Sequence, residues 1–464
     1  MNIFVENFMN GVAIFFILYL LGYSSFIFLS VITGGRFLFR KYKMKMLHSE
    51  LKHDYYVPIS IIVPAYNEEV TIVKSVKSLL DVKYKLFEII VIDDGSTDNT
   101  LSEMIMGFDL KPVNRPIHMQ IDCKPVNKVY ETNIGNIRIT LISKENGGKG
   151  DALNMGINAS NFPYFLSLDA DSALQGDSLE KIVQPILQDD NIIAVGGLVR
   201  VAQSVHFNNG VVEDYHLPWN PIICMQVVEY DRSYLAAKIL FNQFNGNLII
   251  SGAFGLFKKN IVIASGGYDN QTLGEDMEIV LRLHSYCRNN GKKYDMKYEP
   301  DAMCWTQSPS TLKDLMTQRR RWYLGLFQSM IKYRNIFLNL RFGVISFISY
   351  MYYLLYELLA PVVEVFGIFT IILALSFGIL NVTFMLQFLL LYSLFGAFLT
   401  MTAFFQRIYT QNIKISVLDI FKAVLMCLLE NIFLRYILSF VRVTAFIGYK
   451  RKKRQWGTIK REEN

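Results

Sequence analysis

The stretch Phe165-Leu166-Ser167-Leu168-Asp169-Ala170-Asp171 decides the fold class, because it places two carboxylates directly after a short apolar run. Such a run predicts a buried β-strand. Side chains alternate between the two faces of a strand, so Asp169 and Asp171 are expected on one face. Hard oxygen ligands at a strand end suit Mg²⁺ or Mn²⁺ together with phosphate oxygens and water. Asp-x-Asp alone is more often a solvated turn, but its position after a buried strand favours a metal site.

Two upstream apolar runs end in polar residues in the same way. Ile59–Val63 is followed by Pro64-Ala65-Tyr66-Asn67-Glu68, and Phe87–Ile92 by Asp93-Asp94-Gly95-Ser96, with a predicted helix at 70–80 between them. These alternating elements predict an α/β domain. Because ligands bind outside the carboxyl ends of strands in open doubly wound sheets, both polar tips are expected at a nucleotide site. Gly-x-Gly-x-x-Gly and P-loop motifs do not follow these strands, so a dinucleotide fold or P-loop is not supported.

A glycine-rich stretch separates these strands from the Asp-x-Asp motif. Residues 104–138 are poorly patterned and are predicted to be an insertion. The stretch Asn146-Gly147-Gly148-Lys149-Gly150 follows, in which the glycines allow close approach of the backbone and Lys149 offers a positive charge. We expect this loop to contact phosphate.

Two further motifs carry charged residues near the end of the α/β region. Gly274-Glu275-Asp276-Met277-Glu278 opens a predicted helix, where the acidic residues either complement the helix dipole or supply a carboxylate that accepts a proton from an attacking hydroxyl. Gln318-Arg319-Arg320-Arg321-Trp322 lies just before a membrane segment. It is either a basic helix that binds lipid headgroups or a clamp for a departing diphosphate with a stacking surface for a sugar. Both pairs of alternatives remain open on the motifs alone.

Long uncharged segments place the protein in a membrane. Residues 7–35 carry no charge and exceed the about 20 residues that one crossing requires, and we expect this helix to be retained rather than cleaved. Residues 365–406 are uncharged over about twice that length, so two crossings are predicted, hinged near Gly378 to Asn381. Residues 417–448 are apolar but interrupted by charges, which is typical of an interfacial or cavity-facing helix.

Basic clusters set the expected orientation. Lys and Arg are concentrated in residues 36–45 and 450–454, so both flanks are expected in the cytoplasm and the N-terminus outside. These clusters account for most of the net charge of +7, and no nucleic-acid partner is expected. The five cysteines are widely spaced and suggest neither a zinc site nor a disulfide framework. The predicted domains are a transmembrane helix at 1–40, a cytoplasmic domain at 55–335, transmembrane and interfacial helices at 340–448, and a basic cytoplasmic tail at 449–464.

Taken together, the motifs resemble those of the processive family 2 glycosyltransferases, which include cellulose, chitin, hyaluronan and poly-N-acetylglucosamine synthases. The ordered set Pro-x-Tyr-Asn-Glu, Asp-Asp-Gly, Asp-x-Asp, x-Glu-Asp and Gln-x-x-Arg-Trp spans about residues 57–330. The resemblance implies a cytoplasmic domain of the GT-A type, with a mixed, mostly parallel sheet, joined to a membrane-spanning helical bundle. It also implies a multi-pass protein of the plasma membrane.

The resemblance assigns roles to individual residues, with Asp276 as the general base beside Glu275. It implies that Gln318, Arg321 and Trp322 close over the diphosphate and acceptor, and that Asp171, with Asp169, ligates Mg²⁺ or Mn²⁺. The implied donor-nucleotide residues are Pro64, Tyr66, Glu68, Asp93, Asp94, Lys149 and Asp169. The implied acceptor residues are Gly252, Ala253, Trp305 and Trp322, although Ser251–Gly255 equally fits a buried strand with bulges.

The implied activity is inverting, processive transfer from a UDP-sugar to a growing β-linked polysaccharide. Cys304-Trp305 and Gln226–Tyr230 point to UDP-N-acetylglucosamine as the donor. The alternatives are a β-glucan synthase that uses UDP-glucose, which Gly274 disfavours because cellulose synthases usually have Thr there, and a non-processive transferase that glycosylates a lipid phosphate. Besides donor, acceptor and bilayer, a small accessory membrane subunit is a further partner to consider. A catalytically silent scaffold is disfavoured because the motif carboxylates are all present.

Overall fold

A ten-stranded mixed sheet forms the centre of the α/β region in the computed structural model, which describes residues 3–47, 56–208, 211–411 and 413–447. The described strands are β1 (Ile59–Ala65), β2 (Phe87–Asp93), β3 (Lys111–Val113), β4 (Val126–Ile134), β5 (Ile137–Lys144), β6 (Tyr164–Leu168), β7 (Ser172–Leu174), β8 (Ile192–Val201), β9 (Val205–Asn208), β10 (Val211–Tyr215), β11 (Phe254–Lys258) and β12 (Asp295–Thr306). Strands β9 and β10 pair separately, and the large sheet has the order β3-β4-β5-β2-β1-β6-β11-β8-β12-β7. Within it only β4, β7 and β11 run against the other strands. The prediction of a mixed, mostly parallel sheet is confirmed.

Helices cover both faces of this sheet and continue beyond it. The described α-helices are α1 (Ile3–Leu47), α2 (Ile72–Leu80), α3 (Thr100–Phe108), α4 (Lys149–Ala159), α5 (Ser178–Gln188), α6 (Pro221–Arg232), α7 (Lys238–Asn242), α8 (Lys259–Ala264), α9 (Glu275–Asn289), α10 (Leu312–Lys332), α11 (Ala360–Ser376), α12 (Val382–Thr410), α13 (Val417–Leu429) and α14 (Arg435–Val443). Alternate residues of β1 enter different cores, since Ile61 packs in the cluster that contains Leu79 of α2, and Ile62 in the cluster that contains Leu153 of α4. Burial on both faces explains why the central strands are continuous apolar runs.

The prediction of an unpatterned insertion at residues 104–138 is wrong. These residues form the end of α3, strands β3 and β4 and the start of β5, which extend one edge of the sheet in antiparallel pairing. Along β4 only Val129 is buried, with Val126 and Tyr130 partly buried against the hydrophobic clusters, and the other residues are partly or fully exposed. An edge strand of this kind lacks the apolar run by which buried strands are recognised.

Apolar helices identify a membrane protein. Two described helices are long and apolar enough to cross a bilayer, Asn7–Met44 within α1 and Val382–Thr410, and the bent pair Ile345–Leu358 and Ala360–Ser376 makes a third if it is one span. The predicted hinge lies between α11 and α12, where Gly378 adopts a φ of 65° and the Asn381 side chain accepts a hydrogen bond from the Phe384 N–H at 3.0 Å. The predicted tail at 449–464 lies outside the described residues.

Charged residues of the last helices pair with neighbouring helices. Arg232 of α6 donates two hydrogen bonds to the carboxylate of Glu430 at 2.8 and 2.9 Å, and Arg435 of α14 donates to Glu364 of α11 at 2.7 Å. In a membrane such charges are stabilised by facing a partner or a cavity rather than lipid. Lys41 of α1 donates a hydrogen bond to Glu299, beside the bulge in β12, and this contact links α1 to the sheet.

Candidate active site

The carboxyl ends of the central strands open into a cavity of about 440 Å³, and four separate motifs meet there. Asp169 and Asp171 follow β6, Lys149 begins α4, Glu275 and Asp276 lie in the first turn of α9, and the Gln-x-x-Arg-Trp motif lies on α10. The sequence-predicted residues that line the cavity are Lys149, Asp169, Asp171, Gly252, Ala253, Glu275, Asp276, Gln318, Arg321 and Trp322. Parallel strands end at the same edge of the sheet, which is why motifs far apart in sequence converge.

Lys149 connects two of these motifs. Its Nζ lies 2.6 Å from Oδ1 of Asp169 and 3.1 Å from Oε1 of Glu275. Burial alone would lower the pKa of Lys149, but the two carboxylates outweigh burial and raise it above its usual range. The ammonium therefore stays charged and links the start of α9 to the end of β6.

Asp169 and Asp171 provide a fitting pair of oxygen ligands for a hard divalent cation. Oδ1 of Asp171 accepts hydrogen bonds from the hydroxyls of Thr306 at 3.2 Å and Ser172 at 3.3 Å, which fix the orientation of the carboxylate. Among the described residues no group of three or more His, Cys, Asp or Glu side chains is placed to hold a metal. Asp169 and Asp171 would leave other coordination positions for phosphate oxygens and water, as is usual for Mg²⁺.

Asp276 has the environment of a general base. Its Oδ1 accepts a hydrogen bond from the Met277 N–H at 2.8 Å, and its partly buried side chain lines the cavity. Burial and, next, the charge of Glu275 raise the pKa of Asp276 to about 6, against the opposing effects of Lys149 and Lys238. A carboxylate that is ionised at neutral pH yet more basic than usual is suited to accept a proton.

The segment before β11 passes close to these side chains. A Cβ on Gly252 would lie 3.0 Å from Nζ of Lys149 and 3.6 Å from Cβ of Asp276, so a side chain here would push the Lys149 ammonium aside by a few tenths of an ångström. The Gly252 carbonyl accepts a hydrogen bond from the Ser167 hydroxyl at 2.8 Å, which fixes the segment to β6. The backbone here forms part of the cavity wall.

Helix α10 brings the Arg/Trp motif against the start of α9. A Cβ on Gly274 would lie 2.9 Å from Cα of Gly325, so the two backbones touch at a pair of glycines. Arg319 donates a hydrogen bond to Glu229 at 2.6 Å and lies 4.5 Å from the ring centre of Trp322, which is 40% exposed. The contact between Gly274 and Gly325 therefore sets the distance between Asp276, at the start of α9, and the ring of Trp322 on α10.

Several predicted site residues lie outside the cavity lining. They are Pro64, Tyr66, Glu68, Asp93, Asp94 and Trp305. Asp94 accepts hydrogen bonds from Lys144 at 2.6 Å and from the Gly148 N–H at 2.7 Å, so it shapes the loop that leads into Lys149. Tyr66 is 47% exposed at the tip of β1.

Trp305 is not brought to the predicted acceptor site. The residue belongs to β12, its side chain is only 2% exposed, and the guanidinium of Arg200 lies 5.2 Å from its ring centre. A buried indole on a strand interior cannot contact a sugar chain in the cavity. The sequence motif around it does not distinguish packing from recognition.

Some cavity residues carry no motif and were missed. Lys238 is only 9% exposed, Tyr234 lies beside it, and both line the cavity. Burial lowers the pKa of Lys238 to about 7. A lone lysine in the apolar run Ala236–Phe241 is the one signal that the sequence offers, and it does not specify where that side chain points.

The cavity continues beyond the sheet, among α1 and the C-terminal helices. Its lining includes Tyr23 and Ile27 of α1, three tyrosines between residues 352 and 356, and charged residues of the last helices. These charged residues are Glu357, Glu364, Glu430, Arg435 and Arg442. Their presence gives the membrane part of the cavity a polar and aromatic wall.

Two family models match the α/β region of the chain. Residues 60–118 match the model described as glycosyl transferase family 2, and residues 122–325 match that described as glycosyltransferase like family 2. Over 274 residues the chain is 30% identical to the poly-β-1,6-N-acetyl-D-glucosamine synthase of Staphylococcus aureus strain COL, covering 59% of this chain and 56% of that protein. It is 26% identical over 351 residues to the enzyme of the same name from Staphylococcus epidermidis, covering 75% of this chain and 73% of that protein. The chain thus spans only about half the length of the first of these relatives.

A solved structure has the same fold at low sequence identity. The mannosyltransferase from Pyrobaculum calidifontis, solved with GDP-Man and Mn²⁺, superimposes with a TM-score of 0.52. The sequences are 16% identical, and the match covers 88% of this chain and 99% of the mannosyltransferase. Since the identity is low, this likeness bears on the fold alone.

Proposed function

Because the chain belongs to glycosyltransferase family 2, we propose that it transfers sugar from a UDP-activated donor to a growing β-linked polysaccharide, with inversion at the anomeric carbon. The observation that carries this proposal is the meeting of Lys149, the Asp-x-Asp carboxylates, Asp276 and the Arg/Trp motif in a single cavity that continues among the membrane helices. The individual site roles that follow are part of the proposal.

The donor side is assigned to the carboxyl ends of β1, β2 and β6. The uridine would bind at the carboxyl ends of β1 and β2, where the side chains are Tyr66, Glu68, Asp93 and Asp94. Pro64 lies near the end of β1. Lys149 would contact the diphosphate, and Asp169 and Asp171 would hold Mg²⁺ or Mn²⁺, which neutralises negative charge on the leaving diphosphate when bound. Arg321, which lies close enough to Lys149 to affect its ionisation, would stabilise the same charge.

The acceptor side is assigned to Asp276 and Trp322. The carboxylate of Asp276 would orient an acceptor hydroxyl, accept its proton and so assist attack on the anomeric carbon. Attack from the face opposite the diphosphate converts an α-linked donor into a β-linked product. Trp322 would stack on the acceptor sugar, Gln318 would help close the site, and Gly252 and Ala253 would let the chain pass close to the backbone.

We further propose UDP-N-acetylglucosamine as the donor, processive synthesis, and passage of the product between the membrane helices. Similarity to the staphylococcal synthases supports the sugar. The polar and aromatic wall of the cavity within the helices supports a path for a sugar chain. In this proposal the catalytic domain lies in the cytoplasm of a multi-pass plasma-membrane protein, with room for an accessory subunit.

Product analysis and one variant test the proposal. Purified protein in detergent is incubated with a panel of UDP-sugars and Mg²⁺ or Mn²⁺, and the product is digested with linkage-specific glycosidases. We expect a β-linked polymer of N-acetylglucosamine, and Asp276→Asn should abolish turnover while UDP affinity is retained. A matched control is Asp109→Asn, an exposed aspartate at a left-handed turn where asparagine is well tolerated. Full turnover in Asp276→Asn would refute the base, and a single lipid-linked sugar would refute polymer synthesis.

A further inference from the structure

Lys238 carries a buried amino group that lines the cavity without a counter-charge in contact. Its side chain is 9% exposed and lines the cavity, and its Nζ lies 3.7 Å from the ring centre of Tyr234 and 5.8 Å from that of Tyr298. Within the ranges that the structure describes, its ammonium has no hydrogen-bond acceptor and no ion-pair partner. An ammonium removed from bulk water is unfavourable unless its three N–H groups find acceptors.

Other cations of the same cavity do have partners. Lys149 pairs with Asp169 and Glu275, Arg319 pairs with Glu229, and Arg232 and Arg435 pair with carboxylates of the membrane helices. Lys238 therefore differs from these cations in keeping unused donors inside the cavity. Unused donors in a concave site are the usual means by which a protein orients a polar ligand.

Contacts separate Lys238 from the donor side. Lys149 pairs with Asp169 and Glu275, whereas the Lys238 amino group lies over the ring of Tyr234. Helix α7, which begins at Lys238, also packs against α1. The donor diphosphate already has Lys149 and Arg321 on the other side.

The wall around Lys238 leads directly to the proposed base. Tyr234 and Ser251, which precedes Gly252, line the same cavity, and the Cβ of Asp276 is within 3.6 Å of the position that a Cβ on Gly252 would take. An anion next to the carboxylates of Glu275 and Asp276 would be repelled. A neutral sugar with hydroxyl or amide oxygens fits this wall, because it accepts from the ammonium without adding negative charge.

We propose that Lys238, with Tyr234, forms a subsite for the terminal sugar of the acceptor chain, in which the ammonium donates a hydrogen bond to an oxygen of the sugar whose hydroxyl Asp276 deprotonates. The subsite rests on the proposed function. It makes Lys238 a positioning residue that selects acceptors bearing an oxygen at that place, since an acceptor without it leaves the ammonium unsatisfied.

Kinetics that separate acceptor from donor test the subsite. With a β-linked N-acetylglucosamine pentasaccharide as acceptor, Lys238→Met should raise the acceptor KM at least tenfold and leave UDP affinity within about twofold, whereas Lys238→Arg should stay within about threefold of the natural chain. Lys259→Met is the matched control, because Lys259 donates to the Ser160 carbonyl and does not line the cavity. An unchanged acceptor KM in Lys238→Met, or an equal loss of UDP affinity, would overturn the subsite.

A second measurement uses the natural sequence and so does not depend on the folding of a variant. Reductive methylation of Lys238, followed by mass spectrometry, should slow at saturating pentasaccharide and proceed at its normal rate with UDP alone. Protection by UDP alone, or none by the pentasaccharide, would refute the subsite even if Lys238→Met does not fold. Absence of transfer from every UDP-sugar would instead refute the proposed function, and the subsite with it, whereas normal transfer with an unaltered acceptor KM refutes the subsite alone.

Discussion

Mild acidification is expected to slow transfer by protonating Asp276. Burial and the neighbouring charge of Glu275 raise the pKa of this carboxyl to about 6. At that value about nine tenths of the carboxyl is ionised at pH 7 and about one tenth at pH 5, so kcat/KM should fall about tenfold between these pH values. A carboxyl with an ordinary pKa would still be about nine tenths ionised at pH 5. The assay is kcat/KM for the acceptor at saturating donor, measured across this range.

The neighbour of Asp276 provides the sharper test of cause. Because the charge of Glu275 raises the pKa of Asp276, Glu275→Gln should move the acidic limb of the pH profile to lower pH, whatever its effect on the maximal rate. Recovery of full activity on return from pH 5 to pH 7 controls for acid unfolding. An acidic limb near pH 4 in the natural chain, or a shift to higher pH in Glu275→Gln, would refute this account of the base.

Three further substitutions test the packing and charges around the site. Gly325→Ala puts a Cβ within 2.7 Å of the backbone of Gly274 and should separate α10 from α9. Steady-state kinetics should then show a loss of turnover on the order of tenfold or more. Normal turnover would show that this contact does not position the site residues. Asp231→Asn leaves Arg407 buried without its counter-charge, and thermal unfolding in detergent should show a loss of about 3–5 kcal/mol, while an unaltered melting temperature would contradict the pairing. Asp171→Asn should abolish the strengthening of UDP binding by Mn²⁺ in calorimetry, and retained strengthening would exclude this carboxylate as a ligand.

Elements buried on both faces could be predicted from the sequence, whereas the sheet edge could not. The predicted strand at 59–63 is observed as Ile59–Ala65, since its apolar run reports burial directly. Strand β4 carries polar residues on its open face, and its place in the sheet depends on pairing with β5 rather than on its own pattern. Where the local sequence is polar, as in β4, its pairing with another segment cannot be predicted from that sequence alone.

The same distinction applies to the candidate site. Motif residues at strand ends could be expected to meet because parallel strands share an edge, and Lys149 and Asp169, which come after β5 and β6, do line one cavity. Lys238 and Trp305 lie outside this rule, since each sits within an apolar segment whose orientation is set by packing. Lys238 faces the cavity and Trp305 is buried away from it, but nothing in the sequence distinguishes the two cases.

The glycine at position 274 has a packing explanation that alters how the motif should be interpreted. Its departure from the threonine usual in cellulose synthases disfavours a glucan product when the motif is considered alone. A side chain at 274 would collide with Gly325, three residues after Trp322, so the glycines form a complementary pair between α9 and α10. A threonine at 274 would need a different helix approach, whichever sugar is used. Information on the sugar must therefore come from the side chains that face the acceptor, and Lys238 and Trp322 are the residues to vary in that search.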